Sequence, residues 1–267
     1  MATNDNAASS AQLQIEALWD GMTKFGSTRN DEALDFVLAS LATLVDAQQA
    51  FWMGNVSMGE NNSSDPLRGW RPRCLHYLHA QPERVVKIKK LASEVDELAP
   101  VEIDIVITEP LREVGTFRAL TQHQIVPESW YETSFYKMNY GDSGISDMMF
   151  VAVPMNEDVE SWFGFHRINH HAAYFSELDR QNLMKAVRPM QWFHHQVVLS
   201  HGLALVDKPF TPSERRVLHR LLSNETEAEI ASQLGLTHST VHTYTKRICR
   251  KYGVRGRTGL TALWLNR

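Results

Sequence analysis

The chain has 267 residues, of which 43% are hydrophobic, and its 27 Lys or Arg against 31 Asp or Glu give a formal net charge of -4. No apolar run reaches membrane-spanning length, so we expect a soluble chain long enough for two domains, without a membrane partner. The polar residues 1–10 lack the pattern of a signal peptide. Cys74 and Cys249 stand in no metal or redox spacing, which indicates buried thiols in a reducing cytoplasm.

Charge is distributed unevenly along the chain. From Lys208 onward there are eleven Lys or Arg and four Asp or Glu, a net of +7, so residues 1–207 carry -11. A basic module gains affinity for nucleic acid by releasing counterions from phosphates, whereas an acidic one is repelled. The two parts are therefore expected to have different partners.

In chain order, the first part alternates between helix and strand patterns. Apolar residues at helical spacing predict helices over residues 12–25 and 31–48. Short apolar runs predict strands at 50–58 and 74–79, followed by a helix at 81–95 and a less regular region to residue 140. Strands at 147–154 and 159–168 predict a hairpin in the middle of a sheet, and Ser176 is a suitable N-cap for a closing helix over 176–199.

This order predicts an α+β domain over residues 1–200, an antiparallel sheet flanked by helices, followed by a linker at 201–209. The arrangement resembles the GAF and PAS-like sensory folds in its element order and in the sequence Phe175-Ser176-Glu177-Leu178-Asp179-Arg180. The resemblance implies a domain that senses a small molecule or a partner.

The C-terminal segment reads as short helices joined by capping signals. Thr211 to Glu214 and Thr226 to Glu229 are hydroxyl-to-glutamate capping boxes, each of which starts a helix. The first helix should end near Ser223, where Asn224 tolerates positive φ, and Gly235 should close the second. A third, longer helix is expected from Thr237 to Gly253.

The third helix has one apolar face, marked by Val241, Tyr244 and Ile248, so its opposite face must be exposed. The side chains on that face are suited to phosphates and base edges: His238, Ser239, His242, Thr243, Lys246, Arg247 and Arg250. A short helix, a Gly-containing turn and a longer basic helix are typical of a helix-turn-helix, whose last element lies in the major groove.

Residues 209–267 resemble the LuxR-type (GerE-like or FixJ-like) helix-turn-helix of bacterial transcription regulators. The matching residues fall in order at family spacing: Thr211, Glu214, Val217-Leu218, Glu229-Ile230-Ala231, Leu234, Ser239-Thr240-Val241, Ile248, Lys251, Gly253-Val254 and Arg257-Thr258. The departures are Asn224, where the family usually has glycine, and His242 with Tyr244, where a lysine and a histidine are common. We expect the second departure to shift base preference and to weaken phosphate binding.

By position, the resemblance implies that His242, Thr243 and Lys246 face bases. Thr240, Arg247, Arg250 and Lys251 would lie nearer the DNA backbone. It also implies a fourth helix used for dimerisation, with an apolar edge at Leu260, Leu263 and Trp264. The expected C-terminal fold is thus an all-α four-helix helix-turn-helix domain over residues 210–267. Double-stranded DNA is the expected partner, with a homodimer and RNA polymerase as further partners of the class.

Known input domains match the first part of the chain poorly. The acidic pair, central aspartate and lysine of a phosphorylated receiver cannot be placed. The acyl-homoserine-lactone sensors of the LuxR family carry Trp, Tyr, Asp-Pro and a second Trp. Trp52 and Asp65-Pro66 match, but Val56 and Ala80 stand at the other two positions. We interpret this partial match as coincidence, and an autoinducer-type sensory domain remains the alternative to a GAF or PAS-like one.

Other candidate sites are an aromatic set and a group of histidines. Trp52, Tyr77, Trp130, Tyr131, Phe135 and Tyr136 would suit an effector pocket, although such aromatics are also typical of a simple core. His166, His170, His171, His194 and His195 lack an acidic or cysteine partner, so no metal site is expected. No phosphate loop, G-x-S-x-G or HExxH motif occurs, which argues against an enzyme, and no cofactor is predicted beyond an unknown small-molecule effector.

The sequence thus predicts a sequence-specific DNA-binding transcription regulator in the cytoplasm, whose N-terminal domain senses a small molecule or a partner. The alternative is a DNA-binding protein whose N-terminal domain is only a dimerisation or protein-interaction module. Convergent polar groups in that domain would favour the first interpretation, and a filled core would favour the second.

Overall fold

The computed structural model describes residues 2–26, 29–58, 65–81, 83, 86, 104–168, 173–203 and 210–265. The chain divides into two compact units. Residues 1–20 and 35–191 are called the sheet unit here, and residues 21–34 and 192–267 the helical unit. Most of the predicted helix at 81–95 and most of the predicted linker lie outside the described residues, and the predicted domain limits stay a prediction.

The described residues of the sheet unit form five antiparallel strands. They are β1 (Gln49–Ser57), β2 (Trp70–Tyr77), β3 (Arg118–Thr121), β4 (Ile145–Pro154) and β5 (Val159–Ile168). Their order across the sheet is β2-β1-β5-β4-β3. The β4–β5 hairpin therefore lies in the middle of the sheet, as predicted, while the short edge strand β3 falls in the region for which the sequence predicted no regular structure.

The other described regular elements of this unit, and of the chain that leads out of it, are helices and 3-10 turns. The first two are α1 (Ala2–Met22) and α2 (Asn30–Leu44). Between β2 and β4 lie α3 (Ile105–Thr108), α4 (Gln122–Ile125) and α5 (Ser134–Asn139), with 3-10 turns at Glu109–Glu113, Glu128–Glu132 and Gly141–Ser143. After β5 come α6 (Glu177–Val187), a 3-10 turn at Arg188–Met190, and α7 (Gln191–Ser200).

The closing segment begins as predicted but is not one regular helix. The Ser176 hydroxyl accepts a hydrogen bond from the Asp179 amide at 3.1 Å, and the Asp179 carboxylate accepts one from the Ser176 amide at 2.8 Å. Pro189, which lacks a backbone donor, lies in the 3-10 turn that separates α6 from α7. Helix α6 packs on β3 and β4, and the Trp19 indole of α1 donates to the Ala186 carbonyl at 3.0 Å. The α+β prediction is confirmed.

The helical unit contains the predicted four C-terminal helices. They are α8 (Pro212–Leu221), α9 (Glu227–Leu234), α10 (His238–Lys251) and α11 (Gly256–Trp264). Both predicted capping boxes form, and Gly235 and Gly253 each adopt a φ of 65° where α9 and α10 end. The prediction for Asn224 is wrong, since this residue has no positive φ. The turn after α8 is instead held by Ser223, which donates to the Arg220 carbonyl at 2.7 Å.

Candidate DNA-binding surface and aromatic cluster

The outer face of α10 carries the side chains that the sequence assigned to DNA. His238, Ser239, His242, Thr243, Lys246, Arg247 and Arg250 are all exposed, whereas Thr240 and Lys251 are half-buried. Val241 and Ile248, on the opposite face, are fully buried. Within the described chain Lys246 and Arg250 have no ion-pair partner, so their charges are available to DNA.

Two of the assigned basic residues are instead engaged by a buried carboxylate. The side chain of Glu214 is 1% exposed, and its Oε2 accepts a hydrogen bond from Lys251 Nζ at 2.9 Å. Arg247 lies 3.9 Å from Oε1 of the same group. Burial alone would raise the pKa of Glu214, but hydrogen bonds from Lys251 and Thr211 outweigh it and lower that pKa. Lys251 therefore holds α10 to the start of α8 as well as carrying charge.

Nearer the start of α10, polar side chains are fixed by neighbours. His242 Nδ1 lies 3.0 Å from Oε2 of Glu227, the first residue of α9, and His238 Nε2 lies 3.8 Å from the same oxygen. The Thr243 hydroxyl donates to the Ser239 carbonyl at 2.9 Å, which leaves its methyl group and an acceptor lone pair for other contacts. The role of Glu227 gave no signal in the sequence, because it is 15 residues from His242.

The residues predicted to form a dimerisation edge lie mainly inside the helical unit. Leu260 is 0% exposed and Trp264 is 7% exposed, and both belong to the core formed by α8, α9 and α10. Leu263 is half-buried against that core. Leu260 and Trp264 therefore close the protomer's own core and leave little side-chain surface for a partner. A role of α11 in dimerisation stays a prediction.

Polar contacts join the four C-terminal helices to the other parts of the helical unit. The Tyr252 hydroxyl donates to the Leu199 carbonyl at the end of α7, and the Phe210 amide donates to the His201 carbonyl at 3.1 Å. Arg215 of α8 forms an ion pair with Asp31, and His219 of α8 is buried beside this pair. Burial and the charge of Arg215 lower the pKa of His219 to about 4.

In the sheet unit, aromatic side chains gather on one face of the sheet. We call this set, with its apolar neighbours, the aromatic cluster. Phe51 of β1 contacts Tyr77 with ring centroids 5.2 Å apart, and Trp130 contacts Tyr136 at 5.1 Å and Tyr140 at 5.3 Å. Other members come from the sheet and from the segments that cover it: Trp70, Tyr131, Phe135, Phe150 and Trp162.

Five of the six aromatics predicted to line a pocket belong to this cluster, but Trp52 does not. Successive strand residues point to opposite faces, so Phe51 faces the cluster and Trp52 faces away. Trp52 is fully buried, and its indole donates to the Ser161 hydroxyl at 2.8 Å. Asp65, the other half of the partial lactone-sensor match, accepts bonds from Arg71 at 2.8 Å and from two backbone amides.

Polar groups line the edge of the aromatic cluster near the start of β4. Tyr131 packs on Tyr136 and on Tyr174, and His123 stacks on Tyr174 with centroids 5.5 Å apart. His123 Nδ1 lies 3.4 Å from Oδ2 of the fully buried Asp147, which also accepts a bond from the Phe175 amide at 2.7 Å. Burial raises the pKa of Asp147, while burial and the nearby Asp147 charge raise that of Tyr131.

Several buried atoms at this edge have no hydrogen-bond partner among the described residues. They are Oδ1 of Asp147, the hydroxyl of Tyr131, and both side-chain polar atoms of Gln122, the residue next to His123. Asp147 and Gln122 are each 0% exposed. Tyr131 was predicted from the sequence, but Asp147 and Gln122 were not, since a single aspartate or glutamine in an apolar stretch carries no recognisable spacing.

The histidines form no metal site in the part of the chain that the structure describes. No group of three or more His, Cys, Asp or Glu there is arranged to hold a metal ion. His166 contacts Phe51, His194 is buried in α7, and His170 and His171 lie outside the described residues. No described helix is both long and apolar enough to cross a membrane.

The sequence profile named GerE, of the bacterial regulatory proteins of the luxR family, matches residues 208–264. No curated protein matches the chain in sequence.

Among solved structures, SdiA in complex with octanoyl-rac-glycerol is 13% identical, with 94% of this chain and 93% of that chain covered and a TM-score of 0.45. The VqsR LBD domain from Pseudomonas aeruginosa is 10% identical, covers 70% of this chain and 96% of its own, and has a TM-score of 0.43. Escherichia coli SdiA is 12% identical, with 93% of this chain and 94% of that chain covered and a TM-score of 0.37. On the match of residues 208–264 and the four helices that lie within this range, the C-terminal part of this chain is a DNA-binding helix-turn-helix domain of the luxR family of bacterial regulatory proteins.

Proposed function

We propose that the chain is a cytoplasmic transcription regulator that binds a small molecule in its sheet unit and reads a DNA sequence with α10. The sensory part rests on one observation. Buried polar atoms of Gln122, Tyr131 and Asp147 lack partners at the edge of the aromatic cluster. Because more than about 90% of buried polar groups in folded proteins are paired, such a concentration supports a bound group that supplies the missing partners.

The chemistry of this edge restricts the ligand. A carboxylate only accepts hydrogen bonds, whereas the tyrosine hydroxyl and the glutamine amide both donate and accept. The adjoining surface consists of aromatic rings from Trp130, Tyr131 and Tyr136. We therefore propose an apolar or aromatic molecule with a polar end that contains at least one donor. Each buried group left unpaired costs about 1–3 kcal/mol, which ligand binding would recover.

The DNA-reading part rests on the exposed face of α10 and on the net charge of +7 from Lys208 onward. We propose that His242, Thr243 and Lys246 face bases and that the regulator acts as a homodimer on two half-sites. Ligand binding would change how the reading helices of the two protomers are presented to DNA, and the output would be contact with RNA polymerase.

The test is thermal denaturation of the full-length protein with and without a low-molecular-weight fraction of a cytoplasmic extract. We expect the fraction to raise the melting temperature of wild type. Tyr131→Phe should be more stable than wild type by about 1 kcal/mol without the fraction, because it removes an unpaired hydroxyl, and should gain less from it. Tyr244→Phe, in the helical unit, is the control and should respond like wild type. If no fraction stabilises any of these proteins, the sheet unit is an interaction or dimerisation module without a ligand.

A further inference from the structure

Glu227 occupies an unusual place beside the DNA-binding face. It is the first residue of α9, and its side chain remains only 25% exposed because it faces the start of α10. Its Oε2 lies 3.0 Å from Nδ1 of His242, whose side chain is 50% exposed. The His238 ring lies parallel to that of His242, with an interplanar angle of 10° and centroids 6.4 Å apart. The same Oε2 lies 3.8 Å from Nε2 of His238, so His242 is the histidine within hydrogen-bond distance of the carboxylate.

This contact decides which nitrogen of His242 carries hydrogen. A carboxylate accepts hydrogen bonds and cannot donate them, so Nδ1 must be the donor in the 3.0 Å contact. In a neutral imidazole the other nitrogen, Nε2, is then an acceptor. The partners sit on two different helices that share one buried core, so the direction of the ring is fixed by the fold as well as by its own rotamer.

A fixed acceptor on a reading helix selects among bases. In the major groove, cytosine offers its N4 amino group and adenine its N6 amino group as donors, whereas guanine N7 and O6 and thymine O4 are acceptors. We propose that Glu227 is a positioning residue for base specificity: by holding Nδ1 of His242 it presents Nε2 as an acceptor, so that the domain prefers adenine or cytosine at the base that His242 faces. This inference rests on the proposed role of His242 in base contact.

The charge of Glu227 has a second effect, on overall affinity for DNA, which the test must distinguish from the effect on base preference. A carboxylate near the DNA-binding face repels phosphates, so its removal strengthens binding to every sequence. Glu229 offers a matched control, because it lies at the same end of α9 and its carboxylate accepts a bond from the Thr226 amide. Glu229→Gln removes an equal charge and keeps a residue that can complete the capping box.

The experiment is selection of binding sites from a randomised double-stranded DNA pool, in mildly alkaline buffer, by the full-length protein and its variants. Wild type should enrich adenine or cytosine at one position of each half-site. Glu227→Gln should lose that preference by about tenfold at this position only, since a carboxamide can either donate or accept. His242→Ala should lose the same preference, and the double variant should lose no more. Glu229→Gln should keep it.

The nitrogen chemical shifts of the His242 imidazole give a second readout that a merely structural role would not move. We expect hydrogen on Nδ1 in wild type and a mixture of tautomers in Glu227→Gln. Unchanged base preference in Glu227→Gln, or hydrogen on Nε2 in wild type, overturns the proposal. Absence of any enrichment by wild type is a different failure, because it refutes sequence-specific reading by α10 and the present inference with it.

Discussion

Two lysines of α10 that look equivalent in sequence should respond in opposite ways to the same substitution. Lys246 is exposed and has no ion-pair partner within the described chain, so Lys246→Ala should remove one positive charge that releases counterions from DNA and should leave stability unchanged. In a plot of the logarithm of the binding constant against the logarithm of the salt concentration, the magnitude of the negative slope should fall by about 0.9. Between about 50 and about 200 mM salt, the advantage of wild type over this variant should then shrink by about 3.5-fold.

Lys251 is half-buried and bonded to Glu214, whose side chain is 1% exposed. Lys251→Ala leaves that carboxylate with the Thr211 amide at 2.9 Å and with Arg247 at 3.9 Å as its remaining partners. Loss of one partner from a buried pair costs about 3–5 kcal/mol; because Lys251 is partly exposed and Arg247 is near, we expect about 2–3 kcal/mol.

Urea denaturation and fluorescence anisotropy with labelled DNA over a salt series measure the two effects on the same samples. The expected pattern is a lower salt slope with normal stability for Lys246→Ala, and a normal slope with lower stability for Lys251→Ala. If Lys251→Ala lowers the slope as much as Lys246→Ala and leaves stability intact, the ion pair with Glu214 does not organise this surface and the reasoning is refuted.

Two further predictions concern stability. The pKa of His219 is lowered to about 4, whereas the ring in the unfolded chain takes up a proton near about pH 6.5. The neutral ring therefore contributes its full stability above about pH 6.5, and this contribution is lost as the pH falls toward about 4. From about pH 7 to about pH 5, wild type should therefore lose about 2 kcal/mol more than His219→Gln in urea denaturation, and equal losses would contradict the assigned burial. A Cβ at Gly164 would lie 2.1 Å from Phe51 Cζ, so Gly164→Ala should destabilise the fold by about 1–3 kcal/mol. Gly26→Ala is the control, because its Cβ meets no atom within 4 Å. Similar stability of the two variants would show that Phe51 can move.

The C-terminal helices were predictable because their signals are local. Capping boxes such as Thr226 to Glu229 and a left-handed glycine such as Gly235 act over three or four residues, and the structure forms them as the sequence indicates. Asn224 differs from the prediction, since a residue that tolerates a positive φ need not adopt one. The Glu214 contact with Lys251 spans 37 residues, and its strength depends on burial that no local pattern reveals.

The sheet unit was harder to predict because successive residues of a strand point to opposite faces of the sheet, and only one face carries the aromatic cluster. The strand at β1 was predicted within one residue at each end, but Trp52 was assigned to the pocket in place of Phe51. A strand buried on both faces carries no alternation to reveal which side a given aromatic takes. The short strand β3 was missed because its four residues lie between a turn and helix α4 and, among the described residues, pair with β4 at the sheet edge.

The Glu214 carboxylate closes the first turn of α8 and also binds Lys251 at the last turn of α10. The start of one helix and the end of another thus depend on a single side chain, so neither end can fray without releasing the other. Helices α8 and α10 should therefore open together in hydrogen exchange, as one cooperative unit. The reading helix would then be either fully formed or absent, without partly unwound forms that bind DNA indiscriminately.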